Sequence, residues 1–125
     1  MVEVLAYQGV YMVNDLVGVK YIKGGRNPLY GLDCWGLVME VYKRYGIVLP
    51  DMQLTLDTCW KQVMVPISVP LVVLISLHPI YLNHAGVFVG RGRILHTTEK
   101  TNAVIVHISS LGNRIKGYYK YVQDN

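Results

Sequence analysis

Charge is scarce in this sequence: Asp, Glu, Lys and Arg make up only 16% of residues, against 52% that are hydrophobic. A chain so poor in charge and so rich in apolar side chains does not fit intrinsic disorder. A long unbroken apolar run is also missing. The longest candidate, Val63 to Leu77, is interrupted by Pro66, Ser68, Pro70 and Ser76 and is short for a bilayer span, although mean hydropathy is +0.29. The opening Met1-Val2-Glu3-Val4 lacks the positive start and small-residue cleavage site of a signal peptide. Like charges do not cluster: twelve Lys and Arg against eight Asp and Glu leave a net charge of +4 spread along the chain. That pattern fits a solvated basic face, and neither a nucleic acid nor a membrane is expected as partner. Two cysteines, Cys34 and Cys59, are too few for a disulfide framework, and a single bridge between them stays open. Phenylalanine occurs once, so bulky core material must come from ten Tyr and two Trp, whose polar ends need partners when buried.

What is present reads as one domain over residues 1–125, without repeat, linker or low-complexity tract. Leu5, Val10, Val13, Leu16 and Val17 give residues 3–17 a tolerable helical face. After a loop marked by Gly24-Gly25 and Asn27-Pro28 comes a clearer helix. Leu37, Val38, Val41, Tyr42 and Tyr45 form its apolar stripe, Glu40 can pair with Arg44, and Gly46 sits where a C-terminal cap belongs. Asp33 is a good N-cap, which puts Cys34 in the first turn. Residues 57–63 suggest a short helix. Strands are expected at Leu71 to Ile75, Ala85 to Val89, Arg93 to Thr97, Ala103 to Ile108 and Tyr118 to Val122, with Gly90-Arg91-Gly92 as a hairpin turn. Helices first and strands afterwards predict an α+β fold with an antiparallel sheet.

Cys34 is the residue with most chemical promise. A thiol at a helix N-terminus feels the positive end of the macrodipole, which favours thiolate, and Gly36 beside it costs the helix about 1 kcal/mol relative to alanine. Cys59 reads as a small buried hydrophobe. Of the four histidines, His78 and His107 read as surface or edge residues, whereas His84 and His96 lie on the two arms of the hairpin. Register decides whether they cooperate. A two-residue loop would turn them to opposite faces. A three-residue loop, Gly90-Arg91-Gly92, pairs Val89 with Arg93, sets His96 against Gly86 and makes the two histidines diagonal neighbours on one face. Gly92 suits the left-handed position of that turn, so a Cys34, His84, His96 constellation is expected. It fits a nucleophile, a base and an orienting group; ordinary strand histidines and a zinc site remain as alternatives. No phosphate-binding glycine pattern and no paired carboxylates of glycosidase type occur.

Two stretches bear a resemblance. Tyr21-Ile22-Lys23-Gly24-Gly25 followed by Gly31-Leu32-Asp33-Cys34-Trp35-Gly36-Leu37-Val38, and then the run from Asn83 to His96, are similar to the nucleophile and histidine motifs of NlpC-type cell-wall cysteine peptidases. The Asp-Cys-Trp-Gly variant, the continuation Gly46 to Asp51 and the closing Ile115 to Lys120 resemble phage tail-assembly members encoded in prophages. The resemblance implies a reduced papain-like fold, with the nucleophile helix packed on an antiparallel sheet, and hydrolysis of amide bonds in peptidoglycan stem peptides without metal or cofactor. By the same correspondence Cys34 would be the nucleophile, His84 the base and acid, and His96 the orienting residue. Tyr21 and the Cys34 backbone N–H would serve the oxyanion. Asp33 would help hold a free amine of the substrate, and Trp35, where bacterial members commonly carry serine, would line the same site. Val69-Pro70-Leu71 departs from the Gly-Asp pair usual before the first core strand. Phage tail proteins would be the partners, with cytoplasmic synthesis and association with the virion. An inactive tail-assembly component and an amide or acyl transferase are the competing readings on the same fold.

Overall fold

The computed structural model describes residues 12–51, 59–77 and 84–122. Leu5, Val10, Asp57 and His78, which enter the expectations above, lie outside them. The architecture is α+β. A two-stranded ribbon of β1 (Arg26–Asn27) and β2 (Gly31–Leu32) leads directly into helix α1 (Cys34–Arg44). Six strands follow: β3 (Trp60–Val63), β4 (Leu71–Ile75), β5 (His84–Gly90), β6 (Arg93–Thr98), β7 (Asn102–His107) and β8 (Ile115–Tyr121), with a one-turn helix α2 (Ile108–Leu111) before the last. They form one antiparallel sheet in the order β3-β8-β4-β5-β6-β7. Among the described residues no helix is long and apolar enough to cross a membrane.

Helix α1 forms where its stripe demands. Leu37, Val38, Val41 and Tyr42 are fully buried against Val72, Ala85, Val87, Val89, Leu95 and Tyr119 of the sheet, each such side chain contributing about 1.5–3 kcal/mol. Glu40 meets Arg44 at 3.2 Å, and Arg44 also pairs with Asp15. Gly46, at φ +79°, ends the helix, with its N–H on the Lys43 carbonyl and the Ile47 N–H on that of Tyr42. The opposite face of the sheet has its own core, in which Leu71, Val73, Ile75, Phe88 and Ile94 are covered by Leu111. Being covered on both sides explains why β4 reads as a continuous apolar run instead of an alternating one.

Two sequence expectations are corrected. Within the described part of residues 3–17 the chain makes only a 3-10 turn, Asn14–Leu16. It then runs extended because it covers the free edge of β7, the Gly18 N–H bonding the Ala103 carbonyl at 2.7 Å and the Ala103 N–H bonding that of Val19 at 3.0 Å. Trp60–Val63, expected as helix, is instead an edge strand on β8. Its driving contact is aromatic: the Trp60 ring lies 4.9 Å from Tyr121 and 6.0 Å from Tyr42, a cluster that helical backbone would break up. The unusual Val69-Pro70 entry leaves β4 paired on both sides, to β5 and β8.

The start of α1 is pressed against the ribbon loop. A Cβ on Gly36 would overlap the Gly25 carbonyl oxygen and crowd Arg26 Nη1 at 3.2 Å. Gly36→Ala should therefore destabilise the protein by about 1–3 kcal/mol in denaturant titrations, despite the helix propensity it gains. A neutral or stabilised variant would contradict this close seating.

Candidate active site

Cys34 is the first residue of α1, and the Asp33 carboxylate fixes it there. Asp33 Oδ1 accepts from the Gly36 N–H at 2.8 Å and from Arg26 Nη1 at 2.6 Å, while Oδ2 accepts from the Gly24 N–H at 3.0 Å. Arg26 reaches further, to Asp51 at 2.8 Å. The N-cap expected of Asp33 is thus present, and its carboxylate is already engaged by three donors. Arg26, which supplies one of them, has no marker in the sequence beyond its charge. Cys34 is half-buried, and no disulfide joins it to Cys59.

The histidines meet. His84 Nε2 and His96 Nδ1 are 3.0 Å apart, both side chains buried. The register that brings them together arises differently from expectation. Gly90 pairs with Arg93 across a two-residue turn in which Arg91 and Gly92 both have positive φ (+52° and +70°). A bulge then lets Val89 slip out, so that Phe88 faces Ile94 and Val87 faces Leu95. The extra residue is absorbed in the strand instead of the loop, with the same consequence for His96. Gly86 is needed at this point, since a Cβ there would come within 3.0 Å of the His96 Cβ. The β5–β6 ladder ends at Val87 and Leu95. Helix α1 packs on β5, and the Ala85 N–H is near enough to the Cys34 sulfur to favour its thiolate, so helix start and histidine strand adjoin.

Tyr21 lies on the other flank of the helix start. It forms an isolated parallel bridge with Leu32, and its hydroxyl is raised by burial first and then by negative charge on Cys34, Asp33 and Glu99. Its backbone N–H donates to Asn102 Oδ1 at 3.0 Å. Trp35 is turned into the core. It is 3% exposed, its indole N–H donates to the Pro50 carbonyl at 3.2 Å, and its ring packs edge-on against Trp60. The side chain expected to line a substrate site is a core residue that fastens the segment after α1, through Pro50 and Trp60. His107 is exposed and caps α2 through Nδ1, accepting the Ser109 N–H at 3.1 Å. Among the described residues no cluster of His, Cys, Asp and Glu has the arrangement of a metal site.

Burial governs the protonation of the site. It pushes the Cys34 thiol above the ordinary cysteine range; the N–H groups of Ala85, Trp35 and Cys34 pull the other way, and the Asp33 charge adds to the rise. The thiolate expected from the helix end is thus outweighed by desolvation. His84 is pushed down to about 4 by burial and by His96, and His96 is lowered by burial. A neutral thiol beside neutral imidazoles is the form at neutral pH.

Comparison with known proteins gives a consistent picture. The NlpC/P60 family profile matches residues 18–122. A gamma-DL-glutamyl hydrolase of Bacillus subtilis (strain 168) is 28% identical over 99 residues, which are 74% of this chain and 23% of that protein; the chain thus spans about a quarter of that relative's length. Among solved structures, the NlpC/p60 domain of the peptidoglycan hydrolase SagA superposes with a TM-score of 0.69 at 18% identity, covering 92% of this chain and 97% of that one. NlpC2 from Trichomonas vaginalis gives 0.64 at 20% identity, covering 95% and 47%. An NlpC/P60 protein from Bacillus cereus ATCC 10987 gives 0.63 at 17% identity, covering 94% and 40%.

Two measurements follow from the electrostatics. Alkylation of Cys34 in the ligand-free protein should still be accelerating with pH above the ordinary cysteine range, whereas a preformed thiolate–imidazolium pair would react at a flat rate down to mildly acidic pH. For His84 the unfolded chain takes up its proton near 6.5 and the folded chain only near 4. Stability should therefore fall as pH drops between those values, at up to about 1.4 kcal/mol per pH unit. His84→Gln should flatten that part of the pH–stability curve.

Proposed function

Because the chain belongs to the NlpC/P60 family, we propose that it is a cysteine peptidase cleaving amide bonds in peptidoglycan stem peptides, working as one domain over residues 1–125. The observation that carries this reading is the buried 3.0 Å contact between His84 Nε2 and His96 Nδ1, on a strand that packs against the helix carrying Cys34. The substrate class is supported by the two relatives named as hydrolases of gamma-DL-glutamyl bonds and of peptidoglycan.

In this mechanism His84 Nε2 carries the hydrogen and donates it to His96 Nδ1, which leaves His84 Nδ1 to accept a proton. Since the free site holds a neutral thiol, the Cys34 proton passes to His84 as sulfur attacks the substrate carbonyl carbon. The oxyanion is met by the Cys34 backbone N–H at the helix start and by the Tyr21 hydroxyl. Protonated His84 then gives its proton to the leaving amine, and the carbon–nitrogen bond breaks to leave a thioester. Water attacks that thioester with His84 as base, releasing the acid and returning the thiol. Neither metal nor cofactor enters. His96 keeps His84 in one tautomer and orientation, as the third member of such a triad does.

Asp33 supports this site chiefly as the anchor of the helix start, and a free amine of the substrate would compete with Arg26 for its oxygens. For the biological setting we propose a phage tail, with tail proteins as partners. Its support is the resemblance of three stretches, Asp33 to Gly36, Gly46 to Asp51 and Ile115 to Lys120, the first two of which the Trp35–Pro50 hydrogen bond joins into one packed unit. Cys34→Ala should abolish release of stem-peptide fragments, read by mass spectrometry of digested peptidoglycan, and retained cleavage would refute the assignment. Tyr21→Phe should leave a measurable rate, lower by about 10²–10³.

A further inference from the structure

We propose that Asn102 is a positioning residue for Tyr21, holding the proposed oxyanion donor in place from the turn after the His96 strand; this rests on the oxyanion role of Tyr21 given above. Residues 18–21 lie along β7 like a partial extra strand. Gly18 and Val19 make backbone hydrogen bonds with Ala103, at 2.7 and 3.0 Å. At Tyr21 the contact passes to a side chain instead, and its N–H donates to Asn102 Oδ1 at 3.0 Å across 81 residues of sequence. On its other side the same segment is pinned to the residue preceding the N-cap: the Leu32 N–H bonds the Lys20 carbonyl at 3.0 Å and the Ile22 N–H bonds the Leu32 carbonyl at 3.3 Å. Tyr21 is thus clamped between the strand that leads into Cys34 and the turn that follows the His96 strand.

The turn itself is built to hold Asn102 still. Thr98 Oγ1 and Thr101 Oγ1 are 2.9 Å apart, the Thr101 N–H donates to Thr98 Oγ1 at 3.2 Å, and the Thr101 hydroxyl donates to the Asn102 carbonyl at 2.8 Å. Asn102 has φ +55°, a conformation that asparagine tolerates far better than most residues. The position therefore asks for two things together, a left-handed backbone and a side-chain acceptor. Glycine meets the first demand and not the second, which makes it the informative substitution. A small displacement of a donor aimed at a developing charge is costly in rate, so this hydrogen bond should be felt in turnover.

Steady-state kinetics on a stem peptide, in a cycle of Asn102→Gly, Tyr21→Phe and the double variant, tests the proposal. Asn102→Gly should lower kcat by about tenfold to a hundredfold, leave KM nearly unchanged, and cost nothing further once Tyr21 is Phe. An unchanged kcat for Asn102→Gly, or an equal loss in the presence and absence of the Tyr21 hydroxyl, overturns the positioning role while the mechanism stands. Full turnover by Tyr21→Phe overturns the oxyanion reading and the positioning role with it. Amide hydrogen exchange supplies a second measurement should the glycine variant fail to fold. The Tyr21 N–H should exchange slowly in the wild-type protein and in Asn102→Asp, which keeps an acceptor at the same place; fast exchange in either overturns the proposal.

Discussion

The position of Cys34 depends on one carboxylate. Asp33 satisfies the Gly36 N–H at the open end of α1, the Gly24 N–H of the preceding loop and the guanidinium of Arg26. Those three groups come from parts of the chain that would otherwise drift apart, and Cys34 is the next residue. A helix end has unsatisfied N–H groups in any case; here satisfying them also sets where the thiol sits. Gly36 completes the arrangement by letting the helix approach the Gly25 carbonyl more closely than any side chain would allow.

The second half of the site is carried by the sheet, and its geometry depends on a hairpin with one residue too many. Because the bulge at Val89 restores the register that a two-residue turn would lose, His84 and His96 fall on one face. The ladder then ends at Val87 and Leu95, where the strand still packs against the helix. Burial there keeps the thiol and both imidazoles neutral, so the proposed mechanism has to move the proton during the attack instead of beforehand. Desolvation that suppresses charge in the free site also strengthens hydrogen bonds to charge that develops during reaction.

Trp35 and Asp33 show how one motif divides its labour. Both flank the cysteine, yet the indole turns inward to Pro50 and Trp60 and the carboxylate turns back on the ribbon loop. Their roles as seen here are to hold the helix and the segment after it. Asn102 extends the same logic across the molecule, joining the turn after the His96 strand to the loop before the Cys34 helix.

Local sequence determined a good deal. The N-cap at Asp33, the helix stripe from Leu37 to Tyr45, the stop at Gly46 and most of the strands were legible because each depends on neighbours within a few residues. The pairing of His84 with His96 was legible as one of two registers, since side chains alternate along a strand. Tertiary structure alone decided the rest. Residues around Asn14 and Trp60 follow an edge strand and an aromatic cluster far away in the chain, and those contacts override local preference. The inward turn of Trp35, the grip of Arg26 and Asn102, and the protonation of Cys34 likewise depend on what surrounds them. Burial and long-range hydrogen bonds exist only once the chain has closed on itself, so no spacing of residues along it could have announced them.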